Sequence, residues 1–158
     1  MSDDNRAIAR RYYEELLDKG KLDVADEIFA PKISLHALWV NPVDSVSGAP
    51  VEASIEDTPE GMKAGVTVWR ENLRGLRTTV DEMINAGDKV ITLWTTKGIH
   101  RNGSPVTVQG IDVIRFAGGK IVEHWTSWDR LGMWQQMGVV PETSELRAKA
   151  GITSAGQS

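Results

Sequence analysis

The chain has no cysteine in its 158 residues, which removes disulfides, thiolate nucleophiles and zinc–thiolate sites together. No apolar run reaches membrane-spanning length, and the opening MSDDNRAIARR lacks the apolar core of a secretion signal. A soluble cytoplasmic protein with no membrane partner is expected. The three histidines are scattered without short ligand spacing, so no metal site is expected. No glycine-rich phosphate loop is present, because Ala117-Gly118-Gly119 reads as a hairpin turn, and no cofactor is expected. No serine stands in a nucleophile elbow. The formal charge is −4, and the longest basic cluster, Arg6 to Arg11, is interrupted by Ala7, Ile8 and Ala9. That balance argues against nucleic acid, which needs a clustered basic surface.

What remains is enough for one domain with a real core, expected over residues 1–141, with a polar, fraying tail at 142–158. Six tryptophans are generous for this length, and such large aromatic surfaces are often spent on pockets and interfaces. The first helix begins at Asp3 or Asp4 and ends at Gly20, with Ile8, Tyr12, Tyr13, Leu16 and Leu17 as its apolar stripe. A short second helix carries Leu22, Ala25, Ile28 and Phe29, and Pro31 stops it. Lys32 to Val40 reads as a strand, and Asn41 to Asp57 as a loop. Thr58-Pro59 starts a third helix, whose stripe is Met62, Val66, Trp69, Leu73 and Leu76. The period then changes to 2, with strands at about Arg77–Ala86, Lys89–Arg101, Pro105–Ala117 and Lys120–Trp128. A last helix runs from about Arg130 to Met137. Helices followed by a meander of long antiparallel strands give an α+β fold, with the helices on one sheet face.

One carboxylate stands out within this pattern. Asp112 shares the even positions of its strand with Val106, Val108, Gly110, Ile114 and Phe116, so alternation places it on the apolar face. Burial among aliphatics raises a carboxyl pKa and makes the group a candidate proton donor or acceptor. A two-residue Asn102-Gly103 turn sets Leu93 opposite Asp112, puts Ile91, Thr95 and Ile99 on the same inner face, and turns Trp94 outward. The next turn is open to two readings. A two-residue Gly118-Gly119 loop gives Asp112 the neighbours Glu123, Trp125 and Ser127. A three-residue loop gives it His124, with Val122, Thr126 and Trp128 inward; this is preferred because it does not bury Glu123. The outer face then shows Trp94, Ile111, Val113 and Trp125, an apolar patch that fits a homodimer through the sheet.

The segments RRYYEELLDKG, IDVIRFAGGKI and WDRLGMWQQMG, in this order and spacing, resemble the nuclear-transport-factor-2-like superfamily, a cone-shaped α+β fold. Within it the chain is most similar to the SnoaL-like polyketide cyclases and more distantly to ketosteroid isomerase. The resemblance implies three N-terminal helices packed on a curved, mostly antiparallel sheet. By position, Asp112 resembles the isomerase's oxyanion-hole aspartic acid, kept neutral by an apolar site, and Tyr13 resembles its oxyanion-hole tyrosine. The isomerase's general base falls near Ala37 and the cyclases' catalytic aspartate on Thr126, neither of which takes a proton. The cyclases have a pocket histidine where this chain has Asp112.

The implied function is cofactor-free chemistry through an enolate on a small cyclic or polyketide-like carbonyl compound: cyclisation, isomerisation or dehydration. Tyr13 and a neutral Asp112 are expected to donate to the developing oxyanion, with His124 or His36 moving the proton. Trp39, Trp69, Leu93, Thr126, Trp128 and Asp129 are the expected substrate contacts, although Asp129 also reads as the N-cap of the last helix. Two other classes remain in view: a non-catalytic small-molecule binding protein and, ranked lowest, an epoxide hydrolase.

Overall fold

The computed structural model describes residues 2–37 and 57–152. Trp39 and nearly all of the expected Asn41–Asp57 loop lie outside them. Helix α1 (Ser2–Arg11) runs without a break into a π-helical segment, Tyr12–Asp18. Its last carbonyls, of Leu17 and Asp18, accept from the Arg70 guanidinium at 2.8 and 2.6 Å. Gly20 then leaves with φ +69°, where an added Cβ would lie 2.6 Å from Arg70 Nε. The wide π turn places Tyr12, Tyr13 and Leu16 all in the core, and such turns often mark functional positions.

Helix α2 (Val24–Ile28) passes directly into β1 (Phe29–Ala37), in which Ile33 is buried while Ser34 and His36 are exposed. Exposure thus alternates over that stretch, as in a half-buried strand. Helix α3 (Pro59–Asn72) starts on Thr58, whose hydroxyl accepts from Gly61 N at 3.1 Å, with proline in the first turn. Strands β2 (Leu73–Ala86), β3 (Lys89–His100), β4 (Pro105–Ala117) and β5 (Lys120–Trp128) complete a sheet ordered β1-β5-β4-β3-β2. Only β1 and β5 run parallel. The helices cover one face, burying Leu16, Ile28, Ile33, Val66, Ile114 and Ile121 against one another. At roughly 1.5–3 kcal/mol for each large aliphatic side chain, that face fixes the layer order.

Both hairpin registers differ from the expected ones. At the first turn His100 N donates to Ser104 O at 2.8 Å, leaving Arg101, Asn102 and Gly103 in the loop. Asn102 Oδ1 accepts from Ser104 N at 3.0 Å and Gly103 adopts φ +94°, so the asparagine closes a longer turn. The pairing slips by one residue: Thr92, not Leu93, lies opposite Asp112. Because side chains alternate, the whole of β3 turns over. Val90, Thr92, Trp94 and Thr96 are buried, while Ile91, Leu93, Thr95 and Ile99 face outward.

At the second turn Ala117 pairs with Lys120 across Gly118-Gly119, and a bulge between Phe116 and Arg115 then absorbs one residue of β5. The bulge restores the phase that the shorter loop would have lost. Ile121, rather than Val122, is therefore buried, and His124 and Asp112 still share the inner face, with His124 opposite Ile114 and Thr126 opposite Asp112.

Beyond β5, α4 (Arg130–Gln136) lies against β4 where β5 has ended. The Gln136 side chain accepts from Thr107 N at 2.7 Å and donates to Thr107 O at 3.0 Å, completing the ladder in place of a strand. The segment after Pro141, expected to fray, contains a further exposed helix, α5 (Thr143–Lys149). Among the described residues no helix is long and apolar enough to cross a membrane.

Candidate functional site

Asp112 sits at the middle of the inner face, in one cross-strand row with Thr92 of β3 and Thr126 of β5. It is 2% exposed. Thr126 Oγ1 donates to its Oδ1 at 2.7 Å. Tyr13 Oη reaches down from the π-helical segment and donates to Oδ2, also at 2.7 Å. His124, one row away, brings Nε2 to 3.2 Å from Oδ2. That is ion-pair distance, and Nε2 is buried with no second partner.

These neighbours reverse the expected protonation of the carboxyl. Burial pushes the Asp112 pKa up, but the neighbouring His124 imidazole and the Thr126 and Tyr13 hydroxyls pull it further down, below its ordinary value. Donors to the charged form outweigh desolvation. Asp112 is thus a carboxylate that accepts hydrogen bonds, not a neutral acid that donates one. Burial and the Asp112 charge raise the Tyr13 phenol well above its ordinary pKa, so it stays a donor. Tyr12, raised by the same two causes, packs its ring edge-on to His124 with centroids 5.3 Å apart.

The remaining expected site residues divide. Trp128 and Trp69 meet on the inner side in a T-shaped contact with centroids 5.5 Å apart, and Thr126 contacts Asp112 directly. Leu93 faces away, for the register reason given above. His36 is also on the outer face: its Nε2 lies 2.8 Å from Glu123 Oε1, and its ring stacks on Trp125 at 5.0 Å. The strand alternation that buries Ile33 and half-buries Leu35 directs His36 away from Asp112. Asp129 is exposed and caps α4, its Oδ1 accepting from Gly132 N at 2.8 Å. Trp39 lies outside the described residues.

Two features of the inner face escaped the sequence reading. Trp94 is buried there over Gly110, with its indole Nε1 unpartnered. Thr92, fully buried beside Asp112, also has an unpartnered hydroxyl. Correct pairing at Asn102-Gly103 would have revealed both. Among the described residues no group of three His, Cys, Asp or Glu side chains could hold a metal ion. A pocket of about 390 Å³ lined by residues such as Gly20, Arg70, Leu73 and Arg74 contains none of the expected site residues.

The model of the SnoaL-like domain matches residues 9–124. The chain belongs to the SnoaL-like domain family. Solved structures agree with that placement. A candidate polyketide cyclase from Bacillus cereus ATCC 10987 superposes with a TM-score of 0.72 at 22% identity, covering 87% of this chain and 83% of its own. IdmH of Streptomyces antibioticus, a proposed polyketide cyclase, gives 0.68 at 25% identity, covering 85% of this chain and 99% of its own. A Catenulispora acidiphila DSM 44928 protein with a ketosteroid isomerase-like fold gives 0.65 at 15% identity, covering 84% and 93%. No functionally curated protein matches the sequence. The SnoaL-like chain therefore has the cone-shaped nuclear-transport-factor-2-like α+β fold, and its neighbours are compatible with a cyclase-type enzyme.

Proposed function

We propose that this SnoaL-like protein is a cofactor-independent cytoplasmic enzyme that acts through an enolate on a small cyclic or polyketide-like carbonyl compound. The observation that carries the proposal is the buried cluster in which Asp112 accepts from Tyr13 and Thr126 at 2.7 Å each while His124 Nε2 lies 3.2 Å from the same carboxylate with no second partner. His124 moves the proton between the α-carbon and the product atom that receives it. Asp112 is a positioning residue: its charge stabilises the imidazolium that forms, and Tyr13 and Thr126 hold the carboxylate in place. The oxyanion is met by the inner-face donors left unpaired, Thr92 Oγ1 and Trp94 Nε1.

A cyclic 1,3-diketone in D₂O tests the chemistry by its α-proton exchange. Wild-type protein is expected to accelerate exchange, and His124→Gln to lose roughly 10²–10⁴-fold of that acceleration. Equal exchange in the variant would contradict the role of His124. A diketone that binds without faster exchange would favour the non-catalytic binding protein. That second reading draws support from the hydrogen bonds already satisfying both Asp112 oxygens and from Ala37 and Thr126, which cannot serve as bases. Epoxide hydrolysis is disfavoured, because the Arg115 guanidinium is spent on Glu123 at 2.7 Å.

The proposed enzyme is a homodimer through the outer sheet face. Ile84, Ile91, Val113 and Trp125 form one cross-strand row there, with Leu93 and the half-exposed Ile111 in the next. Trp94 drops out of this patch because it faces inward. Trp125→Glu is expected to convert a dimeric native mass to a monomeric one, and an unchanged mass would remove this interface.

A further inference from the structure

We infer that Arg130 anchors a carboxylate on the ligand of this interior, which is thereby a planar acid. The inference rests on the proposed use of the interior as a ligand site and adds the chemistry of its far end.

Arg130, the first residue of α4, lays its guanidinium over the Trp128 ring with Cζ 4.9 Å from the centroid. Its Nε is buried and has no hydrogen-bond partner. Among the described residues it makes no ion pair, unlike Arg115, which pairs with Glu123, and Lys149, which pairs with Glu145. The adjacent Asp129 instead caps the helix, its Oδ1 accepting from Gly132 N. A partly buried guanidinium stacked on an indole keeps its in-plane N–H fork free. A guanidinium partly withdrawn from water gains when an opposite charge arrives.

The atoms around it point the same way. Among the described residues, Thr92 Oγ1, Trp94 Nε1 and Arg130 Nε are buried without hydrogen-bond partners, and His124 Nε2 has none beyond its contact with Asp112. Indole and guanidinium groups only donate, and the other two are able to. They climb the inner face in order, from the His124 row to the Asp112 row to the row of Trp94, Gly110 and Trp128, with Arg130 just beyond. A ligand that satisfies them is rich in acceptors, and at the Arg130 end the acceptor is anionic. Trp128, with Trp69 set edge-on against it, gives a flat wall. A carboxylate conjugated to a ring fits both the fork and the wall.

Binding of 2-naphthoate and of its uncharged methyl ester, measured by calorimetry, tests this. Wild-type protein is expected to bind the acid about tenfold more tightly than the ester, as one charge-assisted contact allows. Arg130→Gln should erase the preference while leaving the ester affinity within about twofold. Arg130→Lys keeps the charge without the fork and should retain part of the preference. Arg115→Gln, on the outer sheet face, should keep the full preference, so a general loss of positive charge and loss of the anion anchor are read separately. Equal binding of acid and ester by the wild type, no binding of either, or an undiminished preference in Arg130→Gln would each overturn the assignment.

Discussion

Asp112→Ala is expected to destabilise the fold by about 3–5 kcal/mol, the cost of removing one member of a buried charged cluster. The substitution leaves the Tyr13 and Thr126 hydroxyls without their acceptor and His124 without its counter-charge. At roughly 2–4 °C per kcal/mol for a chain of this size, the melting temperature should fall by about 6–20 °C. Asp112→Asn keeps the volume and one acceptor, and should cost about 1–3 kcal/mol. The pH dependence follows from the lowered pKa. A carboxylate whose folded pKa lies below its ordinary 3.8 contributes stability that is fully present above the unfolded value. That contribution is lost as the pH falls through the folded value. Urea midpoints of the wild type should therefore drop more steeply below about pH 4 than those of Asp112→Asn. Parallel acid limbs in the two proteins would mean that Asp112 gains nothing from being ionised.

Gly110→Ala should be the next most damaging single change. A Cβ at Gly110 would stand 2.3 Å from Trp94 Cζ2, 2.6 Å from Trp94 Cε2 and 2.9 Å from the Ser127 carbonyl oxygen. The indole is a rigid, buried ring and the carbonyl belongs to the neighbouring strand, so neither yields cheaply. The cost should reach the upper part of the roughly 1–3 kcal/mol typical of overpacking. Trp94 would be pushed off the inner face, and the near-ultraviolet circular dichroism of the protein should change with it. In a Trp94→Leu background the same alanine should cost less by more than about 0.5 kcal/mol, the limit for independent sites. Additive losses would show that Gly110 is not there to admit the indole.

The layer order, the helix stripes up to Ile28 and Asn72, beyond which Phe29, Leu73 and Leu76 belong to strands, and the burial of Asp112 were legible because each rests on a periodicity within one element. Val106, Val108, Ile114 and Phe116 mark the core face of β4 without help from any other strand. The Thr58-Pro59 start of α3 carried its own capping chemistry. Pairing between strands was harder to read. Asn102 spends its side chain on Ser104 N, lengthening the turn by one residue and exchanging the places of Leu93 and Trp94. The β5 bulge leaves no mark on the sequence, yet it keeps His124 and Thr126 on the Asp112 face.

Protonation was the least legible property. Alternation along β4 shows that Asp112 is buried, which by itself raises a pKa. The groups that lower it come from Thr126 on the next strand and from Tyr13, 99 positions away in sequence. Likeness to the isomerase added to the misreading, since there the corresponding aspartic acid is neutral. Here His124 and Thr126 surround the carboxyl and change its role from oxyanion donor to partner of an imidazole.

The charge on this one carboxyl is most directly read by ¹³C NMR of side-chain carboxyls, with the resonance assigned through Asp112→Asn and followed from pH 7 into acid. Asp112 should show a carboxylate shift at neutral pH and hold it down through its ordinary value of 3.8. A carboxylic acid shift at pH 7 would contradict the lowered pKa and return Asp112 to the role of a neutral hydrogen-bond donor.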